Sequence, residues 1–287
     1  MSNNISRTLF HSAVSLILVF IFTGGDCLTD NNPYSKIEGP QNVRIILDAE
    51  AQGDAYSIVT WKASVDENDP DFNGYYVGTY ELNAANQPFA LFNENTTMTD
   101  TFMFVQNIER GKKYISYVKA LSKEKRDSDS IASKIYSGVY ADTSQTISNF
   151  TSSNAFGWNV TNGTDSTYAL NITNSQFIDL VLIVQGSNLN FISPNQFPPG
   201  SRVTRMEVIG EGLSAYDDTD LTEPFLLAPT LVEENKVYLL KIERAETQTF
   251  YYAKIWVHDI TVSSGLPAEV RVTFDCKLQS VAGLLVL

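Results

Sequence analysis

The chain has 287 residues, which is enough for two domains of ordinary size. Hydrophobic residues make up 43% of it and charged residues 18%, so the composition is that of a folded protein and excludes disorder over most of its length. The formal net charge of −13 argues against nucleic acid as a partner, because an acidic surface repels the phosphate backbone.

The N-terminal segment has the features of an export signal. Arg7 precedes the apolar run Ala13–Phe22, which is too short to span a bilayer and has the basic flank of a secretory leader. Cys27 follows this run after a few small residues, and this arrangement resembles the lipobox of bacterial lipoproteins. The resemblance implies that residues 1–27 contain a signal peptide, that Cys27 is acylated, and that a lipid anchor attaches the protein to a membrane.

Two other fates of Cys27 stay open at the level of sequence. Thr23 and Gly25 are small enough for ordinary signal cleavage, which would give a secreted protein with a free Cys27 thiol. The third alternative is a disulfide between Cys27 and Cys276 in an oxidising compartment. Residues 28–39 are polar and contain turn formers, so they are predicted to be a tether.

Short apolar segments then alternate with turn formers, and this pattern predicts strands. The first predicted strands are Pro40–Leu47, Tyr56–Ala63 and Gly74–Val77. Period-two alternation places Val59 and Trp61 on one face of the second strand, where the indole is expected to fill much of the core.

The segment Ile108–Tyr114 carries the most specific signal of this region. Its sequence, IERGKKY, resembles the Leu-x-Pro-Gly-x-x-Tyr turn of fibronectin type III domains, with Arg110 in place of the proline. The resemblance covers residues 40–143 and implies a sandwich in which Tyr114 bonds back to the backbone and Ser133–Val139 forms the last strand. Domains of this family are mostly spacers or protein-binding modules.

Two loops of this module are strongly charged. Ser122–Ser130 is predicted to be the tip of a hairpin, and Asp66–Asp71 a loop between two strands. We interpret both as solvated loops, because a run of charges at a turn usually faces water.

A second β domain is predicted after a linker. Residues 144–155 are rich in Ser, Thr and Asn and form the predicted linker to residues 156–287. Within that domain, the apolar run Phe177–Val184 predicts a central strand, and Val281–Leu287 a short last strand. The expected fold class is all-β: a fibronectin type III sandwich followed by a second antiparallel β-sandwich or jelly-roll-like domain.

One strand of the second domain carries the candidate ligand-binding residues. Alternation along Tyr252–Asp259 places one set of side chains inside and leaves Tyr252, Lys254, Trp256 and His258 on the outward face. Tyr252 and Trp256 are candidates for a platform on which a sugar ring stacks, and His258 is a further candidate ligand-binding residue on the same face. The alternative is that these rings pack against a neighbouring sheet or loop.

The order of the later segments is similar to the β domain of haem-binding bacterial lipoproteins of the HmuY type. The segments that carry this resemblance are Ile178–Leu180, Val237–Leu239, Tyr252–Ile255 and Val272–Phe274. Members of that family hold haem iron with a pair of axial side chains, which here implies His258 and Met206. Haem is therefore an alternative cofactor.

An acidic loop supplies the other candidate site. Asp217, Asp218 and Asp220 are candidate calcium ligands, and a solvated turn is the alternative because their spacing is not that of a calcium-binding loop. The chain has one histidine after the leader and no glycine-rich phosphate loop, so no catalytic site is predicted. No cofactor is expected apart from the haem and calcium alternatives.

The prediction for function is a non-catalytic binding or adhesion protein at the cell envelope or outer surface, or a secreted one if Cys27 is not acylated. Its expected ligand is a protein or a carbohydrate. The alternatives are a structural envelope component, a haem-binding lipoprotein and a hydrolase that uses carboxylates such as Asp218 and Glu223.

Overall fold

The computed structural model describes residues 35–50, 53–197, 202–224, 226–244 and 248–287. The predicted signal peptide, Cys27 and most of the predicted tether lie outside these residues. Lys36–Leu287 forms one compact unit that contains two antiparallel β-sandwiches. In the described part of the chain, no helix is long and apolar enough to cross a membrane.

The first sandwich consists of β1 (Gln41–Ala49), β2 (Ala55–Lys62), β3 (Phe72–Leu82), β4 (Pro88–Met98), β5 (Phe102–Ile108), β6 (Lys113–Ser122) and β7 (Ile131–Ala132). One sheet has the order β1-β2-β5 and the other the order β4-β3-β6-β7. This is the strand order of a fibronectin type III domain, so the fold predicted for the first module is confirmed. Val59 and Trp61 face its core as predicted.

The turn before β6 shows how this sequence closes the sandwich without the proline of the family. The backbone N–H of Glu109 donates to the Tyr114 hydroxyl at 3.3 Å, which confirms the predicted bond back to the backbone. Gly111 has a φ of 83°, a left-handed conformation that glycine adopts without strain. The Arg110 guanidinium donates to two backbone carbonyls, one of them that of Val139 at 2.9 Å, and so it fastens the turn.

The second sandwich consists of β8 (Val139–Ser148), β9 (Ala155–Trp158), β10 (Asp165–Tyr168), β11 (Leu180–Gln185), β12 (Asn188–Ile192), β13 (Val203–Glu211), β14 (Thr230–Leu231), β15 (Lys236–Arg244), β16 (Thr249–Val262) and β17 (Val270–Gln279). Its sheets have the orders β13-β15-β16-β17-β8 and β10-β9-β11-β12-β14. The helix α1 (Gly212–Asp217) follows β13, and single 3-10 turns occupy Ser175–Phe177 and Pro194–Gln196. An antiparallel sandwich, as predicted, is therefore present.

The junction between the modules differs from the sequence prediction. The last strand expected at Ser133–Val139 is wrong: pairing is limited to β7 and a single bridge at Tyr136. The Ser133 side-chain oxygen accepts the backbone N–H of Ser116, so a side chain replaces part of the ladder. The predicted linker, residues 144–155, begins inside β8, which pairs with β17 and carries the chain directly into the second sandwich.

Two further predictions concern single strands. The apolar run Phe177–Val184 does give a central strand, but this strand starts at Leu180 because the preceding residues form a 3-10 turn. The last strand predicted at Val281–Leu287 is wrong, since these residues are turn and unpaired chain. The side chains of Val286 and Leu287 are instead buried in the core of the first sandwich.

The sheet that contains β16 is covered on both faces. Ala253, Ile255 and Val257 pack between the two sheets of the second sandwich, which confirms the predicted inner face. On the opposite face, Tyr252 belongs to the same apolar cluster as the core of the first sandwich. The prediction that Tyr252 and Lys254 face outward is therefore wrong, because the first sandwich and α1 cover that face.

Candidate ligand-binding cleft

A buried lysine holds the end of α1 against the sheet. The Nζ atom of Lys254 donates to the backbone carbonyls of Tyr216 at 2.9 Å, Asp218 at 2.5 Å and Leu287 at 3.3 Å. The carbonyls at the end of a helix have no partner within the helix, so the Lys254 amino group satisfies groups that burial would otherwise leave unpaired. Burial, and then the neighbouring Lys277 ammonium, lower the pKa of Lys254 to about 7.

A second lysine fixes the side chains that α1 presents. Lys277 lies opposite Lys254 in the pairing of β16 with β17. Its Nζ contacts Asp217 Oδ1 at 3.0 Å and lies 4.2 Å from the centroid of the Tyr216 ring. The Lys277 side chain is only 1% exposed, and the Asp217 carboxylate and the Tyr216 ring face offset the cost of burying its charge. These contacts fix the positions of Asp217 and Tyr216.

The aromatic cleft, as we name it, is a cavity of about 340 Å³ between α1, the outer face of β1 and β2, and strands β8 and β16. Its walls include Tyr56 from β2, Tyr216 from α1 and Trp256 from β16. The ring centroids of Tyr216 and Trp256 are 5.7 Å apart. The cleft therefore offers flat apolar surfaces on which a ligand can stack.

The aromatic cleft is also acidic. Its lining contains four carboxylates and no lysine or arginine, the carboxylates being Asp48, Asp142, Asp217 and Asp275. The Tyr56 hydroxyl donates to Asp48 Oδ2 at 3.2 Å. Burial raises the pKa of the Tyr216 hydroxyl well above its ordinary value, and neighbouring acidic groups, Asp275 and Asp48 among them, raise it further. The field in the cleft favours a positive charge.

A larger cavity of about 510 Å³ also borders α1. Arg44 and Thr60 of the first sandwich line it together with Leu213, Asp217 and Asp218. It has no aromatic wall, and Arg44 offsets part of its acidic charge. The aromatic cleft is therefore the better candidate for a ligand site.

Only part of the predicted platform comes together. Trp256 lines the aromatic cleft, and its ring centroid is 4.3 Å from that of His258. His258 Nε2 contacts Asp275 Oδ2 at 2.8 Å, so the histidine lies beside the cleft on the same strand face. Tyr252 does not line the aromatic cleft, and its hydroxyl donates to Glu223 at 3.1 Å.

The predicted calcium ligands face three different partners. Asp217 pairs with Lys277, as described above. Asp218 Oδ1 accepts the backbone N–H of Asp220 at 2.9 Å, and the Asp220 carboxylate pairs with Lys134 at 2.8 Å. Among the described residues, no group of three or more His, Cys, Asp or Glu side chains could hold a metal ion.

Burial separates the two residues that were considered as haem ligands. Met206 is 1% exposed in the core of the second sandwich, whereas His258 lies at the surface. Cys276 is a buried free thiol whose pKa burial raises well above the ordinary value. Acylation of Cys27 lies outside the described residues and stays a prediction.

Five charged or aromatic residues of the aromatic cleft were not predicted from the sequence: Asp48, Tyr56, Asp142, Tyr216 and Asp275. Alternation along β2 does place Tyr56 opposite to Val59 and Trp61, so its outward direction was available from the sequence. The surface that it meets comes from α1 and β8, far away in the chain, and no local pattern indicates it.

No protein-family model matches the chain, and no curated protein matches it. Among solved structures it is similar to a Fn3-like protein from Clostridium thermocellum, with 20% identity over 35% of this chain and 92% of that chain and a TM-score of 0.26. The FN5 domain of Drosophila Lar is 19% identical over 34% of this chain and 92% of that one, with a TM-score of 0.24. A structure of titin kinase and its flanking domains is 11% identical over 87% of this chain and 39% of that chain, with a TM-score of 0.28. The fold assignment itself rests on the strand orders given above.

Proposed function

We propose that this protein is a non-catalytic binding protein of the cell envelope, and that its ligand places an amine or guanidinium group in the aromatic cleft. The observation that carries the proposal is the composition of the cleft, where three aromatic rings and four carboxylates surround about 340 Å³ without a lysine or arginine in the lining. A fold of this kind serves binding or structural roles, and a concave site with convergent polar groups favours binding.

Two of the carboxylates supply the charge for a ligand. Asp48 accepts hydrogen bonds from the Tyr56 hydroxyl and the Ala49 N–H, and Asp142 accepts one from the Thr143 N–H. Neither carboxylate has an ion pair within the described residues. A cation that enters the cleft therefore meets negative charge that the protein itself has not neutralised, and ring faces attract the same cation.

The negative charge of the cleft favours cationic ligands over neutral sugars. A neutral sugar ring could stack on Trp256, but it would leave the carboxylates of the cleft without a countercharge. An arginine side chain of a protein, or an amino sugar, offers a flat or apolar body together with a positive group. Both satisfy the same chemistry, so the experiment below includes a probe for each.

Calorimetric titration of the purified protein tests this assignment. An acetylated, amidated arginine peptide and glucosamine serve as cationic probes, and N-acetylglucosamine serves as the neutral analogue of the sugar. At low salt we expect the cationic probes to bind at least about ten times more tightly than the neutral one. We also expect added salt to weaken the binding of the cationic probes. Equal affinity for charged and neutral sugars, or no binding of any probe, would refute the proposal.

Matched variants locate the binding. Trp256→Ala removes a ring wall and Asp142→Asn removes one charge, and each is expected to weaken cation binding by about fivefold or more. Glu124→Gln is the control, since it removes the same charge from an exposed loop outside the cleft. If Glu124→Gln weakens binding as much as Asp142→Asn, the effect is one of net charge and the cleft is not the site.

The envelope location is supported by the N-terminal sequence, in which the apolar run Ala13–Phe22 precedes Cys27. Mass spectrometry of the mature N-terminus provides the test. An N-terminus at Cys27 with a diacylglycerol mass supports an anchored protein. An N-terminus at Asp26 without lipid contradicts the anchor and indicates secretion.

A further inference from the structure

The free edge of the first sandwich is a second surface that is suited to a partner. β5 pairs with β2 on one side, and no strand of the described chain pairs with its other side. Its outward side chains Phe102 and Phe104 are 45% and 54% exposed, with ring centroids 5.9 Å apart. β5 contains no charged residue and no proline. Its main-chain groups and both rings are therefore accessible to an added strand.

The other sheet edges of the described chain are protected. β7 and β14 have only two residues each, and β1, β4, β8, β10 and β13 each contain a charged residue. Four of them also have a register irregularity, namely β1, β4, β8 and β13. Charges, irregularities and short length prevent edge-to-edge association. β5 has seven residues and no charge, and its register irregularity with β2 lies beyond Val105, so its pairing along Phe102–Val105 is regular.

We propose that β5 pairs antiparallel with β5 of a second copy of this chain and so forms a twofold-symmetric dimer. The Thr101 carbonyl accepts the Trp61 N–H at 3.1 Å, which turns Thr101 toward β2. Main-chain groups alternate in direction along a strand, so those of Phe102 and Phe104 point to the free edge. With Met103 on the twofold axis, Phe102 lies opposite Phe104 of the second copy and their main-chain groups pair.

The polar residues beside the two rings favour this register. Asp100 and Gln106 are both exposed and flank the aromatic pair along the chain. With Met103 on the axis, the Asp100 carboxylate lies opposite the Gln106 amide of the second copy, which can donate to it. No like charges meet along the strand. The arrangement is self-complementary, and because it uses the free edge of both copies, association stops at the dimer.

Sedimentation velocity over a series of protein concentrations tests the proposal. We expect a reversible monomer–dimer equilibrium that tightens with salt, because the net charge of −13 repels a second copy. Phe104→Lys places two ammonium groups close to the twofold axis and is expected to raise the dissociation constant at least about tenfold. Phe89→Lys is the control, since Phe89 is 60% exposed on β4 in the other sheet.

A monomer at every concentration and salt level would overturn the proposal, as would species larger than a dimer. Equal weakening by Phe104→Lys and Phe89→Lys would overturn it too. The register has its own test: Asp100→Lys is expected to weaken the dimer, and Gln106→Glu in the same chain is expected to restore it by forming an ion pair across the axis. Failure of that rescue contradicts the register centred on Met103.

Discussion

Replacing Lys254 with methionine is expected to flatten the pH dependence of folding stability. The side chain is fully buried, and its pKa is lowered to about 7 in the folded protein, whereas the pKa of an unfolded lysine is ~10.4. Between these values the unfolded chain holds a proton that the folded chain lacks. The free energy of unfolding therefore rises as the pH rises through 7, and this gain is lost as the pH falls back through the folded pKa.

The magnitude follows from the two pKa values. Once the folded amine is neutral, the slope contributed by Lys254 is about 1.4 kcal/mol per pH unit. With half of the amines protonated at pH 7, the gain between about pH 7 and 8.5 is roughly 1.6 kcal/mol. We limit the pH range to about 8.5 because Cys276 opposes the gain at higher pH. Burial raises the pKa of the folded Cys276 thiol, so above ~8.5, the pKa of an unfolded thiol, the unfolded chain loses a proton that the folded chain keeps, and stability falls.

Urea unfolding at about pH 7, 7.5, 8 and 8.5, followed by circular dichroism, measures this slope. The Lys254→Met variant is expected to be less stable at every pH, since carbonyls at the end of α1 lose their donor. Lys113→Met is the control, as its Nζ contacts Asn86 at the surface and its removal should leave the slope unchanged. A variant that loses stability yet keeps the wild-type slope would refute the assignment of the pH dependence to Lys254.

Other single changes test the rest of the structure. Tyr114→Phe removes the acceptor of the Glu109 N–H and is expected to lower the free energy of unfolding in urea by about 1 kcal/mol. Arg110→Ala unfastens the same turn and should cost about 1–3 kcal/mol, and a neutral result would mean that the guanidinium does not replace the proline of the family. Asp179 is buried and pairs with Arg202 at 2.9 Å and Arg244 at 3.2 Å. Asp179→Ala removes the carboxylate from both pairs and is expected to cost about 3–5 kcal/mol, whereas a loss below about 1 kcal/mol would contradict this buried ion-pair cluster. Cys276 is expected to resist alkylation until the protein unfolds, and peptide mapping that finds it modified in the folded state would contradict its burial.

Features that depend on neighbouring residues were predictable from the sequence. The turn Ile108–Tyr114 identified the first sandwich because its spacing sets a local geometry. The inner face of β16, with Ala253 and Ile255, followed from alternation alone. Each of these signals is contained within a few neighbouring residues, so it can be read without knowledge of the tertiary structure.

Features that depend on distant segments were not predictable. Alternation assigned Lys254 to the solvent, and it is buried because carbonyls of α1 and Leu287 accept its hydrogen bonds. α1 has six residues, too few to show a helical period. The aromatic cleft brings Tyr56 of β2 together with Trp256 of β16, which lie far apart in the chain, so only the packed structure shows that they meet.

Backbone-amide NMR during titration with the acetylated, amidated arginine peptide tests ligand binding in the aromatic cleft most directly. We expect saturable shifts at Tyr56, at residues 141–143 and at Trp256, all of which line the cleft, with the free-edge strand β5 unchanged. Shifts confined to residues outside this cavity, or no saturable shift at all, would contradict a cation site between the two sandwiches.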